Sequence, residues 1–271
     1  MDFLGYKNKR VVVSGCFSGM GEATARQLVE VGAEVHGFDF KETSLDLASF
    51  TQVDLRDPAT IDAALAGLGG KVDALFNCAG LPQTAPPMDV MKVNYIGTRY
   101  LSDQILPLMA EGGAIASISS TGGMGWSRKI PELLEFTALE GYETILKWCE
   151  ENPDIVREGY SLSKEAIIVW SLAASSKLIK RGIRINCTLP APTQTPMMDH
   201  FESATASEVL DTFIQPIGRR ATPDEQASPL LFLNSDAARY VNGVVLPVDG
   251  GFMGGVTTGQ VDLSALMPPA K

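Results

Sequence analysis

Tyr160 and Lys164 stand four residues apart in the run Tyr160-Ser161-Leu162-Ser163-Lys164. On a helix that spacing puts both side chains on one face. A phenol ordinarily titrates at about pH 10, and a neighbouring ammonium favours the phenolate. Such a phenol can take a proton from a hydroxyl or return one to a carbonyl oxygen. Taken alone the pair carries little weight, because tyrosine and lysine at helical spacing are common on surfaces. It gains weight from two features upstream. One is an apolar run ending in two hydroxyls, Ala114-Ile115-Ala116-Ser117-Ile118-Ser119-Ser120. The other is a glycine-rich turn near the start of the chain.

That turn follows Arg10-Val11-Val12-Val13, whose valines suit a strand buried on both faces. Gly15, Gly19 and Gly21 crowd the residues after it, with Phe17, Ser18 and Met20 between them. A helix is expected from about Glu22 to Val31, stopping at Gly32, and a second strand from Val35 to Asp39. Strand, glycine turn and helix make a site for a pyrophosphate at a helix N-terminus. Asp39, at the end of the second strand, can accept hydrogen bonds from both hydroxyls of an adenosine ribose. The spacing is G-x-x-x-G-x-G rather than the commoner G-x-G-x-x-G, so the flanking strand, helix and acid carry the inference.

The elements that must hold these residues follow in alternation. Thr51 to Leu55 reads as a third strand. Asp57-Pro58 starts a helix to Leu68, with Asp57 as N-cap and Pro58 in the first turn. Val72 to Asn77 reads as a fourth strand, and residues 88–110 as a long helix containing Asn94. Residues 114–120 make a fifth strand, and 155–181 a second long helix. Residues 183–189 and 244–249 complete seven strands. Strands alternating with helices call for a parallel sheet covered on both faces. No linker or repeat divides the 271 residues, so one domain is expected over 1–253, followed by a Gly- and Pro-rich tail, 254–271.

Composition narrows the partners. A formal charge of −10 argues against a general nucleic-acid binder. No pair among Cys16, Cys78, Cys149 and Cys187 has C-x-x-C spacing, and His36 and His200 lie far apart, so no metal site is expected. No apolar run is long enough to span a membrane. The first residues lack a basic start followed by an apolar run, which points to the cytoplasm.

With these motifs in order, the chain resembles the short-chain dehydrogenase/reductase family. The likeness rests on the glycine turn, Asn77-Cys78-Ala79-Gly80, Asn94, Ser119-Ser120, Tyr160/Lys164 and the loop from Pro190 to Thr195, and covers residues 10 to about 252. Within the family it is similar to the subgroup of bacterial 3α-hydroxysteroid dehydrogenase/carbonyl reductases and coniferyl-alcohol-type dehydrogenases. The resemblance implies an α/β fold, a single Rossmann-like doubly wound domain with a seven-stranded parallel sheet. It implies NAD(H)-dependent interconversion of a bulky apolar secondary alcohol and its ketone, with a hydroxysteroid first and an aryl or allylic alcohol second. A non-catalytic NAD sensor or scaffold is the alternative of another class.

By motif, Ser120 would hydrogen-bond the substrate oxygen, with Ser119 as the neighbouring alternative. Tyr160 would be the acid/base, its pKa lowered further by the nicotinamide cation. Lys164 would hold the nicotinamide ribose, and Asn94 would position a water linking Lys164 to solvent. The cofactor would be held by Gly15, Phe17, Ser18, Gly19, Met20, Gly21, Asp39 and Phe40. Asp54 and Leu55 would stand at the adenine edge. Asn77, Ala79 and Gly80 would follow, then Pro190, Ala191, Thr193 and Thr195, with Tyr160 and Lys164. Asp39 should repel a 2′-phosphate, with Lys41 the only nearby cation, so NAD is expected over NADP. A homodimer or homotetramer is expected as well.

Two departures from the family stand out. Pro190-Ala191-Pro192 replaces the usual Pro-Gly, which costs something if residue 191 needs positive φ. Thirty-nine residues separate Ser120 from Tyr160, far more than usual. Pro131-Glu132 starts one helix there, and Tyr142, Ile145, Leu146 and Cys149 mark the apolar stripe of another. This insertion, about 126–154, is expected to roof the substrate pocket, to cover the apolar helix 155–181, or to do both. That helix has little polar face between Ile167 and Ala174, so otherwise a partner subunit must cover it.

Overall fold

In the computed structural model, residues 3–266 are described. Seven strands form one parallel sheet: β1 (Arg10–Ser14), β2 (Glu34–Asp39), β3 (Ser49–Gln52), β4 (Val72–Asn77), β5 (Met109–Ile118), β6 (Arg184–Pro190) and β7 (Val245–Val248). Their order is β3-β2-β1-β4-β5-β6-β7. The order reverses between β1 and β4, and the crevice outside the strand ends at such a point is where α/β sheets bind ligands. The helices α1 (Gly19–Glu30), α2 (Pro58–Leu68), α3 (Pro87–Met91) and α4 (Thr98–Ile105) follow in the first half. Asp57 caps α2 by accepting from Ala59 N, and Pro58 opens it.

The first long helix expected, 88–110, is broken. Residues Lys92–Gly97 form a π turn between α3 and α4, and Pro107 sits in a 3₁₀ turn before β5 begins at Met109. A π turn widens the helix by one residue and frequently marks a functional position; this one carries Asn94. The third strand ends at Gln52 rather than Leu55. Val53 N still bonds Asp39 O, but then β2 has ended, and Asp54 turns the chain by accepting from Arg56 N.

The insertion contains α5 (Ile130–Thr137), α6 (Tyr142–Glu151) and α7 (Pro153–Val156). The second long helix, α8 (Tyr160–Leu178), starts five residues later than expected because Arg157 and Gly159 both take positive φ. Leu133, Phe136, Ile145 and Cys149 are buried in one core with Ile167, Val169 and Trp170 of α8. Phe136 stacks on Trp148 at 4.4 Å, and the Arg99 guanidinium lies over Trp170 at 5.2 Å. The insertion therefore covers α8 with the chain's own side chains, each buried aliphatic or aromatic contributing about 1.5–3 kcal/mol.

Beyond β6 lie α9 (Met198–Ala204), α10 (Ser207–Thr212), α11 (Pro223–Asn234) and α12 (Phe252–Thr257). Just before the expected tail Phe252 meets Phe213 at 5.1 Å, and in the tail's first part Val261 is buried against Gly255. Residues 267–271 of that tail lie outside the described residues. No helix among the described residues is long and apolar enough to cross a membrane, and no metal-ligating cluster occurs among them.

Candidate active site

The cofactor crevice starts at the turn between β1 and α1. Gly15 has φ +79°, and a Cβ there would stand 2.4 Å from Ala79 N; one on Gly21 would stand 1.9 Å from Gly15 O. Only glycine lets this turn close against the end of β4. A cavity of about 410 Å³ runs along it. Its walls include Gly15, Phe17, Ser18, Gly19, Met20, Gly21, Asp39, Phe40, Asp54, Leu55, Ala79, Gly80 and Thr195. The Asp39 carboxylate is fixed at the rim, accepting from Phe17 N and Lys41 N, both at 2.9 Å.

Asn77 stands apart from this wall. It is buried below the crevice, and its side-chain amide donates to Ser102 Oγ and Ser117 Oγ. Arg56, which sequence reasoning missed, does line the cavity. Its guanidinium grips the Asp54 carboxylate and lies 5.5 Å from the Phe40 ring centroid. Side-chain hydrogen bonds from Arg56 hold Asp54 below the ordinary carboxylate range. Lys41 is therefore not the lone cation at this rim. The available signal was local, a basic residue two positions after the acid.

A second cavity, about 230 Å³, is bounded by Ser120, Tyr160, Pro190, Ala191, Thr193 and Thr195. Its outer wall comes from α9, α10 and their flanks: Met198, Phe201, Val209, Leu210 and Phe213. No residue between 123 and 159 contributes, so the insertion covers α8 and does not roof this cavity. Ala191 has no left-handed φ, so it sits in the Pro190–Thr193 turn without strain. Thr193 Oγ1 donates to Ala191 O at 2.8 Å and braces the same turn.

The two serines that follow β5 turn opposite ways. Ser119 Oγ turns inward and donates to Lys164 O at 2.8 Å. Ser120 Oγ accepts from Gly122 N at 2.9 Å and lines the same cavity as Tyr160. Burial pushes the Tyr160 phenol up, and Ser120 opposes that rise. Lys164 Nζ donates to Ile118 O at 3.0 Å and lies 5.7 Å from the Tyr160 ring centroid. Burial brings its pKa down to about 8. Asn94 is bonded at both ends of its amide to the Leu81 backbone, at 2.7 and 3.0 Å. Its Oδ1 and Lys164 Nζ both come within 4 Å of the point a Gly80 Cβ would occupy. Phe201 meets the Tyr160 ring edge-on at 5.3 Å.

Known proteins resemble this chain. Residues 9–131 match the family model described as short chain dehydrogenase, and residues 155–253 match one described as Enoyl-(Acyl carrier protein) reductase. The chain is 38% identical to a coniferyl-alcohol dehydrogenase of Pseudomonas sp., over 90% of this chain and 96% of that protein. It is 32% identical to a 3-alpha-hydroxysteroid dehydrogenase/carbonyl reductase of Comamonas testosteroni, over 89% and 95%. Among solved structures, the 3-alpha-hydroxysteroid dehydrogenase from Pseudomonas sp. B-0831 complexed with NADH aligns with TM-score 0.77. It is 26% identical and covers 94% of this chain and 100% of its own. The chain belongs to the short-chain dehydrogenase/reductase family. It is an oxidoreductase of that type, one that acts on alcohols or ketones.

Proposed function

We propose that this chain is an NAD(H)-dependent dehydrogenase that oxidises a ring-bearing apolar alcohol or reduces the corresponding carbonyl compound. The observation that carries the reading is that the 410 Å³ crevice adjoins the 230 Å³ cavity holding Ser120 and Tyr160, the two sharing Met20, Thr195 and Met197 as walls. The glycine cradle at 15–21 fits a pyrophosphate, and the fixed Asp39 carboxylate fits a ribose diol. The same carboxylate opposes a 2′-phosphate, which supports NAD over NADP. NAD, when bound, supplies the hydride acceptor beside the substrate carbon.

The chain's own residues handle the proton. Gly122 N–H occupies a lone pair of Ser120 Oγ, so the Ser120 hydroxyl donates to the substrate oxygen. Tyr160, as phenolate, takes the hydroxyl proton during oxidation and returns it during reduction. Lys164 Nζ stands 5.7 Å from the Tyr160 ring centroid, while burial raises the phenol's pKa and Ser120 opposes that rise. Asn94 braces Leu81 beside the gap between Gly80 and Lys164, through which a water-borne proton reaches solvent. The wall of Phe201, Val209, Leu210 and Phe213 offers the substrate an apolar face.

The cavity volume favours one substrate class. Pockets for drug-sized ligands measure about 300–1,000 Å³, and 230 Å³ suits a single aromatic ring with a short allylic alcohol better than a four-ring steroid. The coniferyl-alcohol relative supports this reading. A hydroxysteroid is the second reading, supported by the Comamonas relative and the NADH-bound structure. A panel of cinnamyl-type alcohols and hydroxysteroids, run with NAD and NADP, tests both. We further infer a homo-oligomer whose contacts avoid the covered α8, tested by mass in solution, and a cytoplasmic location, supported by four free thiols.

A further inference from the structure

Between the reactive serine and the insertion the chain reads Ser120-Thr121-Gly122-Gly123-Met124-Gly125-Trp126-Ser127-Arg128-Lys129. Residues Thr121–Arg128 form a 3₁₀ segment laid on the first turns of α8. A Cβ at 122 would stand 3.2 Å from Tyr160 Cε1, and one at 123 would stand 3.0 Å from the Lys164 carbonyl carbon. A Cβ at 125 would stand 2.6 Å from Glu165 Oε1. Three glycines thus bring one backbone against the catalytic tyrosine, the lysine and the residue after it.

That next residue is a buried acid. Glu165 is 3% exposed, and both its carboxylate oxygens accept from Lys129 Nζ, at 2.9 and 3.0 Å. A buried carboxylate is tolerated only when paired and hydrogen-bonded, so Glu165 holds Lys129 in place. Neither residue lines the cofactor crevice or the substrate cavity. At the other end of the segment, Gly122 N–H fixes the Ser120 hydroxyl.

We propose that Glu165 and Lys129 are positioning residues for the reaction. Their ion pair straps the 121–128 segment onto α8 and so sets the Gly122 N–H that orients Ser120 toward Tyr160. The inference rests on the roles given to Ser120 and Tyr160 above. A reacting group displaced by about 1 Å can lose about a hundredfold in rate, so a loosened strap acts on turnover from outside the cavity.

The test compares Lys129→Met, Lys129→Arg and Tyr160→Phe with the wild type. Hydrogen exchange in peptides covering 119–129 reads the strap without any substrate. Turnover of cinnamyl alcohol with NAD, and NADH affinity by titration, are read in parallel. Lys129 is exposed, so its replacement opens no cavity, but Lys129→Met leaves the buried Glu165 carboxylate unpaired, and a thermal melt of each variant separates that loss of stability from the effect on turnover. Lys129→Met should speed exchange in 119–129 and lower kcat about tenfold, with KM and NADH affinity within about twofold. Lys129→Arg should restore both exchange and kcat. Unchanged exchange in Lys129→Met overturns the proposal, and so does raised exchange with unchanged kcat. A loss that also weakens NADH binding and is not rescued by arginine overturns it too, since that is general destabilisation. Turnover retained in Tyr160→Phe would instead overturn the site's assigned chemistry, whatever the strap variants do.

Discussion

Lys164 is held at a cost to the fold, and replacing it should stabilise the protein while ending catalysis. Burial lowers its pKa from 10.5 to about 8, and the residue is 5% exposed. At about 1.4 kcal/mol per unit, this corresponds to about 3 kcal/mol of destabilisation at pH 7, where the group is charged in both the folded and unfolded chain. Between pH 8 and 10.5 the folded protein has released this proton while the unfolded chain still binds it. Stability therefore rises with pH through that window, and above it the cost is gone. Lys164→Met removes the cost and forfeits the hydrogen bond to Ile118 O, worth about 1 kcal/mol. The net gain at pH 7, without cofactor, is about 2 kcal/mol, or about 4–8 °C in Tm for a domain of this size. Urea and thermal melts at pH 7 and near pH 10 measure it, and the advantage should shrink at the higher pH. A destabilised variant, or a gain that does not change with pH, would refute the reasoning.

Asp39→Ala removes both the ribose hydrogen bonds and the repulsion of a 2′-phosphate, so NAD affinity should fall about tenfold and the preference over NADP should narrow, as read by titration with each cofactor. Replacing residues 128–152 by a short linker bares Ile167, Val169 and Trp170 of α8; light scattering should detect self-association that the full chain lacks, and an unchanged mass would argue against the covering role. Phe201→Ala removes the ring packed edge-on against Tyr160. It should raise KM for cinnamyl alcohol about two- to tenfold, the scale of an aromatic pair, and favour bulkier alcohols in steady-state comparison.

The parts of the site built on periodic elements were legible in the sequence. The valines of β1, the glycine turn, Asp39 and the Tyr160/Lys164 pair are local patterns, and each stands where the pattern requires. Asp57-Pro58 likewise marked the start of α2 to the residue. What the sequence hid depended on distant partners. Helix 88–110 reads as continuous because a π turn has no composition of its own and because β5 draws Met109 into the sheet. Asn77 belongs to the motif at the end of β4, but the sequence could not show that its side-chain NH2 donates to Ser102 and Ser117, which lie far along the chain. Arg56 was overlooked because its role follows from the turn after β3, which ends when β2 runs out. The insertion's amphipathic stripe was visible, yet only packing shows that it faces α8 and leaves the substrate cavity to α9 and α10.

The central claim is tested most directly by following NADH formation from NAD with the alcohol panel, in the wild type and in Tyr160→Phe. The account predicts NAD-linked oxidation of at least one ring-bearing alcohol, cinnamyl-type before hydroxysteroid. Tyr160→Phe should lose at least about a hundredfold of that turnover, the usual scale for an acid/base, while binding NADH nearly as the wild type does. NAD binding with no turnover of any alcohol in the panel, or turnover that survives in Tyr160→Phe, would contradict it.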